Sequence, residues 1–148
     1  MMLLADEAAM LALGERLAKL VRAGDVVALS GPLGAGKTSL ARGVLAGLGL
    51  EGEAPSPSFA IVQPYDPPEV GISVLHVDLY RIESPGEVVE LGLDEARDTA
   101  VLLIEWPERL PDAQWDDALW LTLAFADGGG RSLTARVPPA WEHRWPLI

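Results

Sequence analysis

Eight residues, Gly31-Pro32-Leu33-Gly34-Ala35-Gly36-Lys37-Thr38, fit the pattern G-x-x-x-x-G-K-[ST] at every fixed position. The residue types suit one chemistry. Glycines let successive backbone N–H groups curl into an anion-sized nest, the lysine reaches β- and γ-phosphates, and the threonine hydroxyl faces Mg²⁺. The candidate nucleotide-binding set is therefore Gly31, Pro32, Leu33, Gly34, Ala35, Gly36, Lys37, Thr38 and the next residue, Ser39. Lys37 is also a catalytic candidate.

Mg²⁺ held with a nucleoside triphosphate wants oxygen ligands, and Thr38 supplies one. Two carboxylates end apolar runs and could supply more: Asp78 after Ile72-Ser-Val-Leu-His-Val77, and Glu105 after Val101-Leu-Leu-Ile104. Both runs read as strands whose ends reach the sheet edge that carries the phosphate loop. One carboxylate could hold Mg²⁺ while the other orients the attacking water. The two are not ranked by sequence, so both are metal and catalytic candidates, and either could instead cap the turn that follows it. His76 lies inside its strand and reads as a packed or hydrogen-bonded histidine, without the partner pair of a metal site. The chain has no asparagine. The Asn-Lys-x-Asp signature that reads guanine is thus ruled out, and ATP is the expected nucleotide.

These residues need elements to position them. Val26 to Ser30 reads as a short buried strand and Lys37 to Leu48 as a helix with Leu40, Val44, Leu45 and Leu48 on one side. The loop between them therefore ends at a helix N-terminus, where free N–H groups and the helix dipole favour phosphate. Asp6 to Ala23 reads as an amphipathic helix ended by Gly24. Glu53 to Phe59 carries two prolines among small hydroxyl residues and reads as an extended loop, a connector or a switch. Phe59 to Val62 reads as a strand and Gln63 to Gly71, with three prolines, as an exposed turn. Ser84-Pro85-Gly86-Glu87 has the form of a capping box opening a helix that stops at Gly92, with a second short helix over Leu93 to Arg97. Ala118 to Ala126 and Ser132 to Val137 read as a hairpin around Asp127-Gly-Gly-Gly130. The last eleven residues, rich in Pro and Trp, read as a tail on the surface. The predicted fold is α/β: a P-loop NTPase-like sandwich with a central mixed β-sheet flanked by helices and a C-terminal antiparallel hairpin.

The bulk numbers agree. A chain of 148 residues that is 49% hydrophobic suits a single domain, 1–148, with a real core. No apolar run is long enough to cross a bilayer, the start lacks the form of a signal peptide, and cysteine is absent, so a cytoplasmic protein is expected. A formal net charge of −11 disfavours direct nucleic-acid binding, which depends on neutralising phosphates.

Four segments in order, Gly31 to Thr38, Ser56-Pro-Ser-Phe59, His76-Val-Asp-Leu-Tyr-Arg81 and Ile104-Glu-Trp-Pro107, together resemble the TsaE (YjeE) family of small bacterial ATPases. The resemblance spans about Asp6 to Ser132. It implies a role in tRNA threonylcarbamoyladenosine biosynthesis beside two partners, TsaD and TsaB, which transfer the threonylcarbamoyl group while the ATPase resets them. Contact with tRNA would then be indirect. It further implies that Lys37 and Thr38 bind phosphate and Mg²⁺, that Glu105 is a metal-associated acid, and that Asp78 is needed for hydrolysis. Tyr80, Arg81 and Trp106 would stand around the nucleotide or the partner, and Ser56 to Phe59 would form the switch-like loop. The chain departs from the family pattern at Ser58, Pro55, Pro64 and Met10, the last where a threonine is usual near the nucleotide. Two other readings share the phosphate loop: a small-molecule kinase, and an assembly module that binds ATP without significant hydrolysis.

Overall fold

The computed structural model describes residues 1–57, 61–110 and 115–145. Seven strands form one sheet: β1 (Met2–Leu4), β2 (Val26–Ser30), β3 (Val62–Tyr65), β4 (Val74–Asp78), β5 (Val101–Glu105), β6 (Leu119–Phe125) and β7 (Arg131–Arg136). Their spatial order is β1-β7-β6-β2-β5-β4-β3. The four central strands β6, β2, β5 and β4 run parallel, while β7, β1 and β3 join antiparallel. This is the expected mixed sheet, with the C-terminal hairpin β6–β7 docked on the P-loop strand β2.

The central strands are covered on both faces, which explains their unbroken apolar runs. Val27, Leu29, Val101 and Leu103 pack in one cluster with α1 (Glu7–Ala18) and α2 (Lys37–Gly47). Val26, Val77, Leu102 and Ile104 face the other way, towards α3 (Pro85–Glu90) and α4 (Leu93–Ala96). Helices α1 and α2 meet at glycines. A Cβ added to Gly14 would lie 2.5 Å from the Leu40 carbonyl oxygen and 2.7 Å from Gly43 Cα, so the two backbones touch there with no room for a side chain.

Several expectations shift. Helix α1 is shorter than Asp6 to Ala23: Asp6 caps its start by accepting from the Ala9 N–H at 2.9 Å, and it ends at Ala18 with Lys19 as its C-cap. Gly24 is instead a turn residue at φ 96°, and its N–H donates to the Ala100 carbonyl. Of the strand expected at Phe59 to Val62, Phe59 and Ala60 lie outside the described residues; Ile61 is not in a strand, and β3 runs over Val62–Tyr65, into the stretch read as a turn. Pro64 is tolerated because β3 is the edge strand, where a missing N–H costs least. Ser84 makes no side-chain cap. Glu87 accepts from the Glu83 N–H, one residue before the expected box. Strand β1, for which the sequence carries no signal, pairs antiparallel with β7. Of the C-terminal tail, residues 146–148 lie outside the described residues; the described part is not merely superficial, since Trp141 is fully buried and Arg144 pairs with Asp25 at 2.6 Å.

Candidate nucleotide site

The phosphate loop leaves the end of β2 and enters α2 at Lys37. Gly36 caps that helix at φ 106°, a conformation only glycine adopts without strain, and a Cβ there would strike Met10 Cε at 2.7 Å. The first N–H groups of α2 have no helical carbonyl before them, so they remain donors for an anion.

A cleft of about 230 Å³ lies against this loop, lined by Leu33, Gly34, Gly36, Lys37, Thr38, Ser39, Asp78, Glu105 and Trp106. The parallel register explains the convergence. Asp78 pairs with Glu105 across β4 and β5, so both carboxylates emerge side by side at the strand ends, on the face that carries α2. The Thr38 hydroxyl lies 2.9 and 3.1 Å from the two Glu105 oxygens. All these groups are oxygen donors, the kind a hard divalent cation such as Mg²⁺ takes. Among the described residues no group of three His, Cys, Asp or Glu side chains forms a metal cluster, so protein side chains alone do not build a cage. A cation here would need phosphate oxygens as well, which is how Mg²⁺ usually binds.

Lys37 is nearly buried, at 5% exposure. Its ammonium donates to the carbonyls of Gly31 and of Pro32, the latter at 3.0 Å, and lies 4.0 Å from the centre of the Trp106 ring. Burial pulls its pKa below the usual lysine value, opposed by the negative charges of Glu105, Glu108 and Asp78. Trp106 sits in the left-handed region at φ 60°, and Tyr80 leans on it with ring centres 4.9 Å apart.

Several loop residues also bond to one another. Gly31 and Pro32 stand behind the loop and hold Lys37 through their carbonyls. Proline has no N–H to give, and the Ala35 N–H is turned to the Pro32 carbonyl at 3.1 Å, away from any anion. Ser39 lines the cleft and contacts Glu7 at 3.2 Å. Asp78 does cap the following turn, accepting from the Tyr80 N–H at 2.9 Å, yet it also lines the cleft. Arg81 is exposed and outside the cleft wall. Of the switch-like loop, Ser58 and Phe59 lie outside the described residues. Ala54 is tied to α2 through the Arg42 guanidinium at 2.7 Å. A second cleft of about 390 Å³ adjoins the loop, between α1 and the β6–β7 hairpin, and Met10 and Arg131 line it. Sequence reading missed the partner of His76: its Nε2 lies 2.6 Å from Glu105 Oε2, both side chains buried. The spacing held a signal, since His76 and Asp78 are two apart on one strand and so share a face.

The model of the family "Threonylcarbamoyl adenosine biosynthesis protein TsaE" matches residues 4–133. The chain belongs to the TsaE family. It is 44% identical to the TsaE protein of Streptomyces coelicolor over 117 residues, covering 78% of this chain and 79% of that one. It is 34% identical to the TsaE protein of Haemophilus influenzae over 145 residues, covering 86% and 90%. Among solved structures it resembles Bacillus subtilis YdiB, with a TM-score of 0.68 and 28% identity over 88% of this chain and 79% of that one. All four segments that carried the resemblance fall within the matched TsaE range. No helix among the described residues is long and apolar enough to cross a membrane.

Proposed function

We propose that this chain binds ATP with Mg²⁺ and hydrolyses it in support of tRNA threonylcarbamoyladenosine formation, acting on a TsaD–TsaB transferase complex rather than on tRNA. The observation that carries the chemical part is the convergence of Thr38, Glu105 and Asp78 on one cleft beside Lys37. The pathway follows from the printed description of the matched family and of its relatives. The charge of −11 supports an indirect relation to RNA.

Thr38 and Glu105 would hold the cation, with Asp78 beside them. Bound Mg²⁺ would neutralise charge building on the phosphates. Lys37 exchanges loop carbonyls for phosphate oxygens, and the opening N–H groups of α2 fix the phosphates in place. Asp78 orients the attacking water by accepting its hydrogen bond. Trp106 shelters Lys37 from solvent, which strengthens the ammonium–phosphate attraction.

ATP turnover by the purified chain, measured alone and then with TsaD–TsaB, tests this. Hydrolysis should rise with the partner complex, and Asp78→Ala should abolish it while leaving Mg²⁺–nucleotide binding largely intact. Normal turnover in Asp78→Ala would remove that residue from the mechanism. Turnover indifferent to TsaD–TsaB, with no physical association, would remove the partner assignment.

A further inference from the structure

Glu105 is a buried carboxylate that the phosphate loop approaches from one side only. Its two oxygens face the Thr38 hydroxyl, and Oε2 also faces His76 Nε2 at 2.6 Å. An ionised carboxylate can only accept, so with Glu105 acting as a cation ligand the facing histidine nitrogen is assigned the hydrogen and donates it. His76 is fully buried on β4, and its Nδ1 has no hydrogen-bond partner among the described residues. Packing against the sheet face under α2 therefore fixes the ring, and Glu105 is its one polar contact among them.

This matters because of side-chain length. Glutamate has one more rotatable bond than aspartate, and fixing a long side chain costs entropy at the moment a ligand needs it. Thr38 has a single hydrogen to share between the two Glu105 oxygens, so it alone leaves the carboxylate free to turn about that one bond. A donor set behind the carboxylate does this in advance.

We infer that His76 is the positioning residue of this site: it holds the Glu105 carboxylate aimed at Thr38, so that Mg²⁺ meets a preset pair of oxygens. The inference rests on the Mg²⁺–ATP reading above and adds to it a second layer beneath the cation. Partners of this kind, hydrogen-bonded to a metal-binding group, typically contribute 10- to 100-fold in metal affinity.

The test uses the full chain and a non-hydrolysable ATP analogue, with binding followed by calorimetry across a Mg²⁺ series and again in EDTA. Three variants separate reach from polarity. His76→Leu removes the donor. His76→Asn keeps an amide but falls short of Glu105. His76→Gln places an amide N–H near the position of Nε2. His76→Leu and His76→Asn should need about 10- to 100-fold more Mg²⁺ for half-saturation, with binding in EDTA unchanged, and His76→Gln should restore most of the loss. Should the leucine variant fail to fold, the Asn and Gln pair decides the matter. Equal Mg²⁺ demand in all variants, failure of Gln to outperform Asn, or a parallel loss of binding in EDTA would each overturn the positioning role. Absence of Mg²⁺-dependent binding by the unaltered chain would instead sink the Mg²⁺–ATP reading itself.

Discussion

Replacing Gly14 by alanine tests how far the closeness of α1 and α2 sets both stability and the site. The added Cβ would lie 2.5 Å from the Leu40 carbonyl oxygen, 2.7 Å from Gly43 Cα and 2.7 Å from Val44 N. All three are backbone atoms of α2, so no side chain can swing aside. Ordinary contact begins near 3.4 Å. The helices must therefore separate by roughly 1 Å, which opens a close-packed interface. Overpacking of this kind costs about 1–3 kcal/mol, and three backbone clashes place it near the upper end. Alanine returns up to about 1 kcal/mol through its better helix propensity. The net loss is about 2 kcal/mol, a fall in Tm of roughly 4–8 °C for a chain of this size. Thermal and urea unfolding followed by circular dichroism measure it. Because α2 begins with Lys37 and Thr38, nucleotide affinity should fall as well. A variant as stable as the parent, or more stable, would refute the reasoning, since it would mean the helices part freely and only propensity was felt.

Three further outcomes follow from the same geometry. Trp141→Ala should cost about 3–5 kcal/mol in urea unfolding, because the indole is fully buried against the core. Arg144→Ala should cost about 2–3 kcal/mol by the same assay, since it strips Asp25 of contacts at 2.6 and 3.1 Å and frees the Leu20 carbonyl. That loss should shrink markedly in an Asp25→Asn background. Burial lowers the pKa of Lys37 below its usual 10.5, so its proton leaves earlier as pH rises. Nucleotide binding by calorimetry should then weaken at a pH below that of a free lysine, and Lys37→Arg, which stays charged, should flatten the slope. An unchanged slope in that variant would place the titration elsewhere.

The phosphate loop, its flanking strand and helix, and both carboxylate-tipped strands are legible because local chemistry and long-range order agree there. Glycines at Gly31, Gly34 and Gly36 have a fixed purpose, and the parallel strands are apolar along their length because both faces are covered. What sequence hides is contact between distant segments. β1 is three residues long and exists only because β7 offers it a ladder. Trp141 reads as tail because nothing local shows that a core waits for it. The bond between His76 and Glu105 depends on the register of β4 against β5, which neither strand states alone. The strand at Gln63 to Tyr65, expected as a turn, has a similar cause: Pro64 argues against a strand until β3 is known to be at the rim.

The two rims of the sheet bear on how the molecule keeps company. One is a three-residue ribbon and the other contains an imino acid, so neither offers a long row of free amides for a visiting strand to zip onto. Accretion of copies into fibrils through open ladders is thereby discouraged. Whatever docks on this protein is left to recognise side chains and loops.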